Sequence, residues 1–231
     1  MSHRRPPVVL TRDAIKNGFI TRMIDERGGL PGRWTEQQIV ECYRRMLAEA
    51  PPGDVWVFAY GSLIWNPCIH VTEMKRARLN GFHRRFCLWT HLGRGSPECP
   101  GLMLGLMPGG ACAGVALRIE RGIAETEFDI LFRREMVSGS YDPRWVKVQV
   151  EGVEKPVRAL CFLMNRAHER YAGRLSDAAV ADAVARAAGP LGACRDYLEH
   201  TVAALEALGI KDKPLARMQK MVRARLAPAA T

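Results

Sequence analysis

No Cys-x-x-Cys pair, zinc-finger spacing, RNP motif or P-loop occurs in this chain, so the common signatures of a zinc site, an RNA-binding sheet and a phosphate-cradling turn are missing. No apolar run is long enough to span a bilayer. Ser62 does not sit in a Gly-x-Ser-x-Gly elbow, and no histidine stands in a recognisable relation to it, which removes the usual case for a serine nucleophile. Near the start, Arg4 and Arg5 precede Val8-Val9-Leu10, a run too short for a signal-peptide core, and Asp13, Asp25 and Glu26 argue against a transit peptide. The cysteines number seven, an odd and scattered set, which predicts reduced thiols and a cytoplasmic protein.

What is present is an ordinary soluble composition over 231 residues, enough for one substantial core with an appended segment. The net charge of +10 is spread over separate regions. Lys75, Arg76, Arg78, Arg84 and Arg85 lie in the middle, and a second basic group between Lys211 and Arg225 suits the solvated face of a terminal helix. Attraction of anionic small molecules accounts for this charge as well as attraction to RNA does.

The chain is organised around Val55-Trp56-Val57-Phe58-Ala59-Tyr60, a short apolar and aromatic run that predicts a strand buried on both faces. Gly61 and Ser62 follow as a tight turn, whose successive backbone N–H groups can form a concave nest for a carboxylate or oxyanion. Residues 1–53 read as an N-terminal helical extension packed on a core of residues 54–227. Thr35 and Gln38 form a capping box for a helix over about 36–49, with Ile39, Tyr43, Met46 and Leu47 inward. Further strands are predicted at 74–79 and 82–90, turning at Asn80-Gly81, and at 102–107 and 113–119, turning at Pro108-Gly109-Gly110. Small apolar inward residues in the second pair suit a closed barrel or a strongly curved sheet. A helix over about 123–136 and a hairpin of 144–150 with 157–164 come next. Three C-terminal helices complete the chain: one capped by Ser176, one ended by Gly209, and one with Pro214 in its first turn. An Ala-Pro-Ala-Ala tail then reads as frayed.

One residue breaks the pattern. In the 123–136 helix the inward stripe Phe128, Leu131, Phe132 continues to Glu135, which places a carboxylate toward the core. Burial disfavours its ionised form and moves its pKa toward neutrality, where one group can accept and release a proton. The alternative is a structural ion pair with Arg133, Arg134 or a distant arginine. Tyr141, just beyond Gly139, either offers a phenol to the same pocket or closes the core beside Pro143. His70, His83, His91, His168 and His200 are isolated, and no metal site is predicted.

Together, Tyr60-Gly61-Ser62-Leu63 after a buried strand, and Phe132-Arg133-Arg134-Glu135-Met136 followed by Gly139 and Tyr141, resemble the γ-glutamylcyclotransferase superfamily, in particular its ChaC type. The resemblance runs from about Val55 to about Arg225 and includes Trp56-Val57-Phe58, Arg84-Arg85-Phe86, His91 with Arg94-Gly95, and Ala188-Gly189-Pro190 before the helix bearing Tyr197-Leu198. It implies an α+β fold, a mixed β-barrel with packed helices, and a glutathione-specific γ-glutamylcyclotransferase that needs no cofactor. Residues Tyr60, Gly61, Ser62 and Leu63 become substrate-binding and Glu135 catalytic, with Tyr141 and Tyr197 as pocket hydroxyls. Eukaryotic members carry Gly at the position of Ala59 and a shorter spacing between the glutamate and the tyrosine that follows.

The implied chemistry is intramolecular: the α-amino group of the γ-glutamyl residue attacks its own γ-carbonyl, forming 5-oxoproline and expelling cysteinylglycine. The nucleophile is tethered, so the protein must orient it, move protons and hold an oxyanion. Cyclotransfer on other γ-glutamyl amines or peptides is the alternative within this chemistry. Outside it stands a non-catalytic regulatory protein linked to cation transport, or a basic RNA binder. The sequence leaves the oligomeric state open.

Overall fold

The computed structural model describes residues 9–227; Arg4, Arg5 and Val8 and the tail from Pro228 lie outside the described residues. Its centre is a closed five-stranded barrel of β1 (Val55–Ala59), β2 (Glu73–Thr90), β3 (Gly101–Ile119), β4 (Tyr141–Val150) and β5 (Val157–Met164), in the order β1-β3-β2-β4-β5. Neighbouring strands are antiparallel except at the seam, where β1 pairs parallel with β5 through Trp56 opposite Ala159 and Val57 opposite Leu160. The strand β1 therefore lies between two partners, and Val55, Val57, Phe58 and Ala59 are fully buried. An apolar run with no polar alternation is what such a position requires.

The two hairpins expected at Asn80-Gly81 and Pro108-Gly109-Gly110 are not turns. Each predicted strand pair is one long strand, β2 or β3, and the two lie antiparallel along their whole length. Gly81 (φ +86°), Gly109 (φ +101°) and Gly110 (φ +69°) fall at the same level of this ribbon, and the register shifts between Asn80 and Phe82. Left-handed glycines therefore act here as a bulge that bends the ribbon. The actual reversal between β2 and β3 is the loop 91–100.

Helix α1 (Arg12–Lys16), α2 (Phe19–Asp25) and α3 (Glu36–Ala48) precede the barrel. Thr35 and Gln38 form the expected reciprocal cap, and Ile39, Cys42, Tyr43 and Met46 are buried. Helix α4 (Ala124–Glu135) packs on α3, with the Tyr43 and Phe132 rings 6.2 Å apart edge to face, and stacks Phe128 on Phe132 at 5.7 Å. Helices α5 (Asp177–Arg186), α6 (Cys194–Ala207) and α7 (Lys213–Leu226) pack against one another and the barrel. Ser176 and Asp212 accept the capping bonds of α5 and α7. The basic face of α7 is paired with acids: Arg217 with Asp177, Arg223 with Glu199 and Arg225 with Asp182. All seven cysteines are free thiols, and no helix of the described residues is long and apolar enough to cross a membrane.

Candidate active site

Beyond Ala59 the chain leaves the barrel through Tyr60 and Gly61 and winds into a single 3-10 turn, Ser62–Ile64. The Ser62 and Leu63 backbone N–H groups open this turn with no acceptor among the described residues, as the first donors of a helical turn do. Gly61 has φ −139°, so it is not needed for a left-handed angle. It is needed for space: a Cβ there would lie 2.7 Å from the Tyr197 hydroxyl oxygen.

Glu135 is the last residue of α4 and reaches the same place from the other side. Its side chain is only 15% exposed, as the Phe128-Leu131-Phe132 stripe predicts. The ion pair that sequence reasoning offered as the alternative is present too, with Arg134 Nε 3.0 Å from Glu135 Oε1. Burial and the ion pair therefore occur together: burial raises the carboxyl's pKa and the Arg134 charge and hydrogen bond pull it back only in part. A position at the negative end of a helix dipole acts in the same direction as burial. Arg133 has other work, pairing with Glu36 and Asp129.

Arg134 itself is the residue that sequence reasoning undervalued. Its Nη2 donates to Ser62 Oγ at 2.8 Å and its Nη1 to the Asn66 carbonyl, so one guanidinium ties the turn after β1 to the carboxylate. Helical periodicity does not advertise this, because adjacent residues face different sides until the helix ends.

Three phenols complete the recess. Tyr60 donates to the Phe162 carbonyl at 2.6 Å, bracing the turn against β5. Tyr141 donates to the Leu104 carbonyl at 3.1 Å, and the longer spacing from Glu135 still brings it to the same cavity. Tyr197, on α6, is buried with its ring edge on to Trp65 and Phe86. Burial pushes all three phenols up, with the Glu135 charge adding to each, so they stay protonated donors. Leu63 supplies an apolar side.

Ser62, Glu135, Tyr141 and Tyr197 line both a recess of about 20 Å³ and the cleft of about 360 Å³ that opens from it. The cleft falls within the range of small-molecule sites. At its mouth Arg94 lies over the Trp65 and Tyr197 rings, 5.8 Å from each centroid, and donates to the Ala193 carbonyl. Arg94 entered the sequence reading only as part of a short match, without a role. No group of three or more His, Cys, Asp or Glu side chains among the described residues could hold a metal ion.

The family model described as ChaC-like protein matches residues 55–225. The chain belongs to the ChaC-like family. A glutathione-specific γ-glutamylcyclotransferase of Escherichia coli K12 is 38% identical over 183 residues, 79% of each chain. The human glutathione-specific γ-glutamylcyclotransferase 1 is 28% identical over 153 residues, covering 65% of this chain and 69% of its own. The fold is also that of a solved yeast γ-glutamylcyclotransferase specific to glutathione, at TM-score 0.70 and 22% identity over 74% of this chain and 96% of that one. The family's span begins at β1, so α1 to α3 stand outside it.

Proposed function

We infer that this chain is a glutathione-specific γ-glutamylcyclotransferase, a lyase that releases 5-oxoproline and cysteinylglycine. The observation that carries the reading is the meeting of a buried carboxyl of raised pKa, Glu135, with the donor-rich turn Gly61-Ser62-Leu63 in one cleft. Similarity to the E. coli cyclotransferase supports glutathione as the substrate.

Glu135 acts as the base and then the acid. Its carboxylate takes a proton from the α-ammonium of the γ-glutamyl group; the freed nitrogen attacks the γ-carbonyl carbon and closes the five-membered ring. The tetrahedral oxyanion is held by the Ser62 and Leu63 amides. As it collapses, the C–N bond to cysteine breaks and the proton passes from Glu135 to the departing nitrogen; the ring nitrogen then gives its second proton to the regenerated Glu135 carboxylate, leaving the lactam N–H, and Glu135 returns that proton to the released amine. A carboxyl whose pKa lies nearer neutrality serves both transfers better than an ordinary one. Arg134 keeps part of the population ionised at the start while fixing Ser62. Tyr141 and Tyr197 offer neutral hydroxyls to the glutamyl head, and Tyr60 braces the turn. We divide the chain into an extension, residues 1–53, and a catalytic domain, residues 54–227, and place the protein in the cytoplasm, free of membrane and nucleic acid.

Purified protein incubated with glutathione is expected to yield 5-oxoproline and cysteinylglycine in equal amounts. Absence of both with correctly folded protein refutes the reading. Comparing glutathione with γ-glutamylmethylamide and other γ-glutamyl peptides tests the substrate preference.

A further inference from the structure

Outside the family's span, the N-terminal segment does more than pack against the barrel. Leu10, Ile20, Met23, Ile24 and Leu30 form one wall of the cleft that opens from Glu135. The recess on the inner side of Glu135 has room for about one small polar group. Whatever leaves the glutamyl carbonyl must therefore lie outward, in the cleft that this wall helps to bound.

Two independent ties fix the wall in place. Arg12 forms a two-pronged ion pair with Glu127, a carboxylate that is 1% exposed and also accepts the His70 backbone N–H at 2.9 Å. The Leu10 carbonyl accepts from Asn66 Nδ2 at 2.9 Å and from Cys68 Sγ at 3.2 Å. The Asn66 carbonyl in turn holds Arg134, the neighbour of Glu135. Cys68 has φ +58°, the one non-glycine residue of the described chain in the left-handed region. The loop after the Ser62 turn is thus clamped between the extension on one side and the catalytic helix on the other.

We propose that residues 9–30 form the subsite for the cysteinyl residue of the departing dipeptide, a specificity-determining wall supplied from outside the family fold. The inference rests on the cyclotransferase reading. An apolar wall suits a short thiol-bearing side chain, whose burial is the same in the ground and transition states. The opposite side, with Arg94 and His200, is cationic and aromatic, so the two walls select different parts of one substrate.

The test is steady-state kinetics on glutathione for Ile20→Asn and Leu30→Asn, with Ile20→Leu as the conservative replacement and Thr21→Ala as an exposed control. Both target side chains are half-buried, so their replacement does not empty the core. The expected result is a KM for glutathione raised at least fivefold with kcat held within twofold, restored in Ile20→Leu and unmoved in Thr21→Ala. Such a split reports lost binding common to ground and transition states. A KM that stays within twofold in both Asn variants, with melting temperature held, overturns the inference. The same is true if Thr21→Ala raises KM as much. Arg12→Ala, which loosens the wall without altering its surface, is expected to raise KM in the same direction. Wild-type protein that makes no 5-oxoproline defeats the cyclotransferase reading itself, and the inference falls with it; wild-type turnover with unchanged KM in the variants defeats the inference alone.

Discussion

The inner end of the cleft and its mouth are built on opposite principles. Inside, Glu135, Arg134, Ser62, Tyr60 and Tyr141 are held by short polar contacts, and all of these but the Arg134–Glu135 pair join elements far apart in sequence. At the mouth, one wall is a row of aliphatic side chains from α2 and the stretches before α1 and after α2, anchored from behind by an ion pair and a carbonyl clamp. The inner end is made wholly of family residues, whereas this wall precedes the family's span. On the reading proposed above, reaction and selection fall to separate pieces of chain, and damage to one should spare the other.

The sharpest way to break that division is at the inner end. Glu135→Gln is expected to lower kcat by about 10³-fold, in the range for a lost general acid–base group, as measured by 5-oxoproline release. Its melting temperature should hold or rise, because the uncharged amide no longer has to be kept ionised in a dry place. Full activity in this variant would remove Glu135 from the mechanism.

Arg12→Ala attacks the anchor of the outer wall. It strands the buried Glu127 carboxylate with one backbone donor, at a cost of about 3 kcal/mol, read as a melting temperature lower by roughly 6–12 °C. The rate of the chemical step in single-turnover experiments at saturating glutathione should change little. A large loss there would mean that the two ends are not separable.

Gly61→Ala probes the closest approach inside. The new Cβ meets the Tyr197 hydroxyl, which must move, and a cost of about 1–3 kcal/mol is expected in kcat/KM or stability. Adding Tyr197→Phe removes the obstructing oxygen, so the double variant should lose less than the two single losses combined. Strict additivity would show that the contact is not what excludes a side chain at position 61.

The finest test is Arg134→Met. The arginine favours the ionised carboxyl, so its removal raises the Glu135 pKa further, and the acid limb of the kcat/KM profile should move to higher pH. Movement to lower pH would contradict the assignment of the limb to Glu135. A profile that stays in place while KM rises would make Arg134 purely a holder of Ser62.

Much of the inner end was legible in the chain itself. An unbroken apolar run announced β1, and the periodic stripe through Phe128 and Phe132 carried Glu135 inward. The bent ribbon was not legible, because a left-handed glycine serves equally in a two-residue turn and in a bulge; only the partner strand, whose glycines fall at the same level, decides between them. Arg134 was hidden for a different reason. Its value lies in contacts to Ser62 and Asn66, about seventy positions upstream, and no local spacing encodes a meeting at that range. The apolar outer wall was equally silent, since Leu10, Ile20 and Leu30 read as ordinary amphipathic residues until the cleft they face is known.

The parallel seam between β1 and β5 sets an order of events for the newborn polypeptide. Residues 55–59 are synthesised about a hundred positions before the partner that completes their hydrogen bonding, and the Tyr60 phenol waits for the Phe162 carbonyl over the same interval. Pairings of such long range are slow to form. An incomplete chain halted before residue 157 lacks the closing partner, so competence to act on a cellular thiol arrives late and all together.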